Sequence, residues 1–424
     1  MTTVSDSRSK ETIYSAINWP LVVTAYATMF CLGTLDNIRG PFFPDVTRDL
    51  HLTNFQAAFF YAVVSGMAFV SGAVVAKSVQ RFGQLPVLRI GQITMAVGFA
   101  ILSRVETFWQ MIGACIVFGL GFGVLNVAQN LLILNATSTI GPDNGVYGPR
   151  RRLLSGLHSM YAFASIVAPL VAAYFFRIGG NWREVFLIAA VFVLSSFFIS
   201  FWPSNTRTTA SEAAGCASTS EPAKSAKLPV GRLWLVACML SFYSLAELTV
   251  SSRLALYLRH GFGYKPAVAA EDVALFYSFL LIGRLIFFFF HFRWSTRSII
   301  GWALVGTIAF FLIGLSWRPD ILVLCGLFMA PVFCLGIDYI AELFPENPSV
   351  AVNNCIAISC LFIVLMHILL GILTDQYGIA RAFTVAPVFA GLSLLFLWLS
   401  AVETDKSWKL GRPWQRTDAS VTKI

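Results

Sequence analysis

The sequence predicts an all-α membrane protein: twelve transmembrane helices in two pseudo-symmetric six-helix bundles. Three observations carry this. Hydrophobic residues make up 57% of the 424 and charged residues only 12%, where a soluble globular chain carries about a quarter charged. The apolar residues fall into runs long enough to cross a bilayer, and one polar stretch near the middle splits those runs evenly. With 38 Phe and 11 Trp the chain is neither a disordered nor a nucleic-acid-binding protein, and its net charge of +9 is a record of topology.

A helix needs about 20 mostly apolar residues to cross the hydrocarbon core. Such runs lie near 19–42, 55–76, 86–103, 108–135, 153–176 and 184–202, then near 231–258, 272–292, 298–316, 320–344, 350–373 and 381–401. The first exceeds a signal-peptide core and no small-residue cleavage site follows it, so it is an uncleaved span. Residues 203–230, rich in Ser, Thr and Pro, contain no apolar run and serve as a linker between halves 1–202 and 231–401, with 402–424 as a tail. If the N-terminus is cytoplasmic, nineteen of the 30 Lys and Arg lie on that side and ten on the other, with Arg284 alone mid-span. That bias puts both termini and the linker inside, in the cytoplasmic (inner) membrane. Six spans, an inside linker and six more is the outline of two parallel repeats around an axis along the membrane normal.

Polar groups inside a bilayer are costly and face a bundle interior or a watery cavity. Span 1 holds Asp36, Asn37 and Arg39; span 4 holds Asn126, Gln129 and Asn130; span 5 holds His158 and Tyr161. The second half holds Glu247, Arg253 and Tyr257, then Arg284, Asp338, Asn353, Asn354 and His367. A solute site between two repeats belongs at their shared mid-depth. Asn126, Gln129 and Asn130, three and four apart, share one helix face. They either line a cavity for a polar neutral solute, since amides donate and accept, or bond neighbouring helices. Glu247 is either a proton carrier or the partner of Arg253 or Arg284, and Asp36 has the same two readings with Arg39 one turn away. Arg284 binds a solute or neutralises a buried acid; Asp338 and Asn354 lie nearer the cytoplasmic third and suit a gate. Two lone histidines make no metal site, and the eight cysteines show no CxxC or ligand spacing. No cofactor is expected.

This pattern is similar to the major facilitator superfamily and resembles its fucose-permease-like branch of fucose–galactose–proton symporters. Gly121-Phe122-Gly123-Val124-Leu125-Asn126-Val127-Ala128-Gln129-Asn130 resembles the branch's GxGxLExxxN signature of helix 4. Asp36 shortly before Pro41, the run Leu154 to Tyr161 with His158, and Gly283-Arg284-Leu285 are similar to further stretches of that branch. The resemblance implies the twelve-helix major facilitator fold and transport by alternating access. Asn126 stands where the branch carries a protonatable Glu, so coupling would fall to Asp36 or Glu247. Of the superfamily's loop motif GxxxDRxGR only Arg81 and Gly83 survive, while a better GxxxDxxG copy, Gly371, Asp375 and Gly378, falls on the outer side.

The expected function is secondary active transport of a small polar solute, a sugar or sugar-like metabolite first, driven by a proton or sodium gradient because no GxxxxGK[ST] loop is present. The substrate-binding candidates are Asn126, Gln129, Asn130, His158, Tyr161, Arg253, Tyr257, Arg284 and Asn354; the ion-coupling candidates are Asp36 and Glu247. Asn37, Arg39, Arg81, Gly83, Asp338 and Asp375 are gating or structural candidates. The alternatives are a small organic anion or zwitterion, suggested by Arg39, Arg253 and Arg284, export of a drug- or siderophore-like compound, or a transporter-like sensor. No HExxH, Ser/His set or paired carboxylate for an intramembrane enzyme is legible. The expected partners are a small-molecule substrate, a coupling ion and the lipid bilayer, with the chain a monomer.

Overall fold

The computed structural model describes residues 17–137, 149–203, 229–289, 294–344 and 348–410. The described residues hold twelve helices long and apolar enough to cross a membrane. They are α1 (Trp19–Asp49), α2 (Asn54–Phe82), α3 (Gln84–Leu102), α4 (Phe108–Ala136), α5 (Pro149–Arg177) and α6 (Trp182–Ile199), then α7 (Val230–Leu256), α8 (Pro266–Phe289), α9 (Thr296–Ser316), α10 (Cys325–Leu343), α11 (Pro348–Tyr377) and α12 (Val385–Leu410). The linker residues 204–228 and the end of the tail lie outside the described residues. The protein is an integral, multi-pass membrane protein.

Helix direction alternates, so the face at which α1 and α7 begin also receives the ends of α6 and α12. This is the termini face; the opposite one is the far face. The far-face turns are set by local chemistry. Thr53, Thr107 and Asn181 cap α2, α4 and α6, each side chain accepting a backbone N–H at 3.1–3.3 Å. α1 departs from expectation. It continues past Pro41 and Pro44 to Asp49, seven residues beyond the apolar run, with both prolines inside it. Pro lacks the N–H for the helical bond, but neighbouring helices tolerate such a break in a membrane bundle. α7 supplies that neighbour: Gly40 presses so close that a Cβ there would sit 3.1 Å from the carbonyl of Ser251. α8 also begins early, at Pro266, because Glu271 and Asp272 interrupt the hydropathy while Ala269 and Ala270 still pack fully buried.

Within the first half α1 packs on α4, α5 and α6; within the second, α7 packs on α11 and α12. Buried polar pairs tie these helices. Gln92 on α3, fully buried, donates to Thr28 on α1 at 3.0 Å and Ser196 on α6 at 3.1 Å. Asn37 on α1 donates to Ser165 on α5 at 3.0 Å, and Ser241 on α7 meets Ser359 on α11 at 2.9 Å between the corresponding helices of the other half, about two turns nearer the termini face. The halves meet through α2 on α11, α5 on α8 and α1 on α7. Exchanging the halves turns the first pairing into the second, as a two-fold repeat requires.

Candidate functional site

A cavity of about 270 Å³ lies where the halves meet, lined from α1, α2, α4, α5, α7, α8 and α11. Its polar wall is Asp36, Asn37, Arg39, Tyr61, Ser65, Asn126, Tyr161, Ser251, Ser252, Tyr277 and His367, with Phe69 and Phe122 among the apolar residues. Helices α1 and α7 each carry an acid at equivalent depth: Asp36 is in the lining, whereas Glu247, with Arg284 of α8, lies outside it. Asp36 stands seventeen residues after the first residue of α1 and Glu247 seventeen after the first of α7.

The two acids are held differently. Asp36 pairs with Arg39, one turn along α1, and accepts a hydrogen bond from the Tyr161 hydroxyl on α5 at 2.6 Å. Arg39 is 4% exposed and also donates to the carbonyl of Phe60 at 3.3 Å. Glu247 has its nearest cation, Arg284 of α8, at 3.9 Å, outside hydrogen-bond range. Its close partner is the Tyr243 hydroxyl, 2.5 Å from Oε2 and 2.9 Å from the carbonyl of Met329 on α10. A phenol carries one proton, so it donates to one of these two acceptors at a time.

The far face is closed across the halves. Arg259, just past α7, forks onto Asp45 of α1 with bonds of 2.6 and 2.9 Å. Arg177 of α5 pairs with Glu271 of α8. Asp375 of α11 caps the start of α2, accepting the backbone N–H of Asn54 and of Phe55, both at 2.7 Å. A carboxylate at a helix N-terminus meets orphan N–H groups and the positive end of the dipole. Gly371 makes this approach feasible, since a Cβ there would lie 2.7 Å from the carbonyl of Asn54, and Gly378 turns the chain at φ +77°. The outer GxxxDxxG copy is thus an engaged cap. Arg81 is exposed beside the Phe82 ring, and Gly83 joins α2 to α3 at φ +87°.

Several expected site residues stand elsewhere. Gln129 does not share the cavity face. It is fully buried, with Nε2 2.9 Å from Sδ of Met29, because three residues at 100° turn it 60° back from Asn126 toward α1. Asn130 bonds back to the carbonyl of Asn126 at 2.7 Å and is not in the wall. Tyr257 is buried against Phe383, ring centroids 4.4 Å apart, at the far-face end of the second half. Arg253 lies behind the wall, 2% exposed, with its guanidinium 4.0 Å from the Phe43 ring centroid. His158, Asp338 and Asn354 are exposed and outside the lining, with His158 in electrostatic range of Arg284. Tyr61, Tyr243 and Tyr277 were missed. Membrane tyrosines gather at the interfaces, so a tyrosine well inside a span is the signal that finds them.

Two six-helix bundles closing on a polar chamber in the membrane define a transporter. The chain belongs to the Major Facilitator Superfamily, whose family model matches residues 25–354. It is similar in fold to the nucleoside transporter NupG, at a TM-score of 0.67 and 13% identity, covering 91% of this chain and 98% of that one. A D-xylose-proton symporter is similar at a TM-score of 0.69 and 12% identity, covering 90% and 97%. In sequence, 165 residues are 22% identical to the sodium-dependent glucose transporter 1 of Rattus norvegicus. That stretch covers 39% of this chain and 32% of the rat protein.

Proposed function

We propose that this chain is an ion-coupled secondary active transporter that moves a small polar solute, a sugar or sugar-like metabolite, across the cytoplasmic membrane by alternating access. The observation that carries this reading is the chamber at the junction of the halves, walled by hydroxyls, amides and aromatic rings from both. Rings and hydroxyls are what a polyol needs: apolar faces for its C–H groups and paired donors and acceptors for its O–H groups. The volume, at the low end of ligand pockets, which run upward from about 300 Å³, suits a monosaccharide-sized solute. The names of the similar proteins, for nucleosides, xylose and glucose, support the same class, and the helix-4 run Gly121 to Asn130 supports the fucose-permease-like branch.

In this reading residues 1–202 and 231–401 rock as two bodies, 203–230 is the cytoplasmic linker and 402–424 the cytoplasmic tail, and the monomer is sufficient. The termini face is cytoplasmic, and the far-face contacts of Asp45, Arg177 and Asp375 form the gate that must part for outward opening. Glu247, whose cation stands on another helix across 3.9 Å, is the coupling acid, while Asp36, paired with Arg39 on its own helix, is a fixed part of the wall. Asn126 and Tyr161 contact the solute. The test is counterflow in proteoliposomes: unlabelled sugar trapped inside should drive transient uptake of labelled sugar. Binding without exchange would make the chain a sensor and reject the carrier reading.

A further inference from the structure

Behind the roof of the chamber stands a positive charge that no acid among the described residues matches. Tyr61 forms its centre. The Arg39 and Arg253 guanidiniums stand 5.0 and 5.3 Å from its ring centroid, and the His367 imidazole stacks on it at 5.1 Å. Arg39 is answered by Asp36. Arg253 is not: among the described residues no carboxylate pairs with it, and both its Nη atoms are buried without a hydrogen-bond partner. The Tyr61 hydroxyl and His367 Nδ1 are likewise buried and unpartnered, at 7% and 3% exposure. Three donor-capable groups therefore converge on the roof, Tyr61 and His367 in the lining and the cation Arg253 directly behind Tyr61, while Asp36 is the one acid in the lining. Outside the lining, Arg284 and Glu247 stand 3.9 Å apart and answer each other's charge.

A buried guanidinium without a counter-charge is strongly unfavourable, and a hydroxyl or imidazole aimed at nothing adds to the cost. A ligand bearing one negative charge relieves both. We infer that the chamber prefers a hydroxylated monoanion, a sugar acid whose carboxylate is drawn to the Arg253–Tyr61–His367 roof, over the neutral sugar of the same frame. The inference rests on the carrier reading and sharpens its substrate class. The neutral hydroxyl, amide and ring wall holds the polyol; the roof reads the charge.

The test uses D-glucuronate and D-glucose, one frame with and without a carboxylate, titrated calorimetrically into the purified full-length protein in chloride-free methanesulfonate buffer. Glucuronate should bind at least about tenfold more tightly. Arg253→Gln should cut that preference below about twofold while leaving glucose affinity in place, and Arg253→Lys should keep most of it. Added chloride should compete with glucuronate and leave glucose alone. Equal binding, tighter glucose, or no binding of either overturns the inference. Chloride raising glucose affinity overturns it too, since the roof would then hold a resident halide. Should Arg253→Gln fail to fold, the wild-type ranking and the chloride competition decide. Counterflow separates the two levels: glucose exchange with no glucuronate preference leaves the carrier standing and removes the anion, whereas no exchange across a panel of sugars and sugar acids removes the carrier.

Discussion

Asp36 and Glu247 occupy the same depth of equivalent helices, each beside a tyrosine and an arginine, yet the partners come from different places. Asp36 has its arginine on its own helix, one turn away and buried, so the ion pair is built in with the helix. Glu247 has its arginine on a different helix, across a 3.9 Å gap, and its tyrosine on its own. A pair within one helix cannot part when helices shift; a pair between two helices can. The repeat thus supplies two copies of one motif that differ in which helix bears the cation. In the proposed carrier, that difference would give a duplicated bundle a single coupling site.

The largest effects should come from neutralising these acids. Asp36→Asn leaves Arg39 buried without its partner, and breaking a buried pair costs about 3–5 kcal/mol. The thermal midpoint and folded yield in detergent should fall sharply, and Arg39→Gln on top should recover part of the loss. Glu247→Gln keeps an acceptor for the Tyr243 hydroxyl and should cost under about 1 kcal/mol. It should nonetheless abolish gradient-driven accumulation while exchange persists. A stable Asp36→Asn with coupling lost, beside a coupled Glu247→Gln, would reverse the assignment.

The next effect is at the far-face cap. Asp375 accepts two backbone N–H groups of α2 across the halves, and charged hydrogen bonds are worth about 1.5–3 kcal/mol each before solvent weakens them. Asp375→Ala should shift the population toward far-face opening by about tenfold, or about 1.4 kcal/mol. The readout is an impermeant maleimide applied from the far side to a Tyr61→Cys variant with the native cysteines removed. Labelling no faster than in the parent would make Asp375 a cap without a gating role. Arg81, the remnant on the termini face, should give no such shift when changed to Ala, because it stands beside the adjoining Phe82 ring of its own helix.

The twelve spans were legible because hydropathy is local: each run reports its own burial whatever it packs against. Failures came where burial depends on a partner. α1 runs on past Pro44 because α7 covers it, and α8 starts before Glu271 because Arg177 of the other half answers that charge. The same divide runs through the site. Asp36, Asn126 and Tyr161 were found because a polar group in an apolar run is conspicuous by itself. Tyr61 and Tyr277 were missed although the same signal marks them, a tyrosine well inside a span and away from the interfaces. Gln129 and Asn126 looked equal for a different reason. Three residues apart is near enough to count as one face, and only the position of Met29 separates them.

That last pair gives the smallest and most discriminating prediction. Asn126 is exposed to the chamber, so Asn126→Ala should weaken solute binding by about tenfold, the worth of one hydrogen bond of about 1.4 kcal/mol, with the thermal midpoint unchanged. Gln129 makes one contact to sulfur, and its Oε1 is buried without a partner. Gln129→Leu replaces an unsatisfied amide by an apolar group of similar length, which is close to neutral or stabilising. Solute affinity should not move, and the midpoint should hold or rise. If Gln129→Leu weakens binding as much as Asn126→Ala, the amide must swing toward the solute when the halves rock, and the chamber wall in the loaded state would include a residue that the far-face-closed state hides.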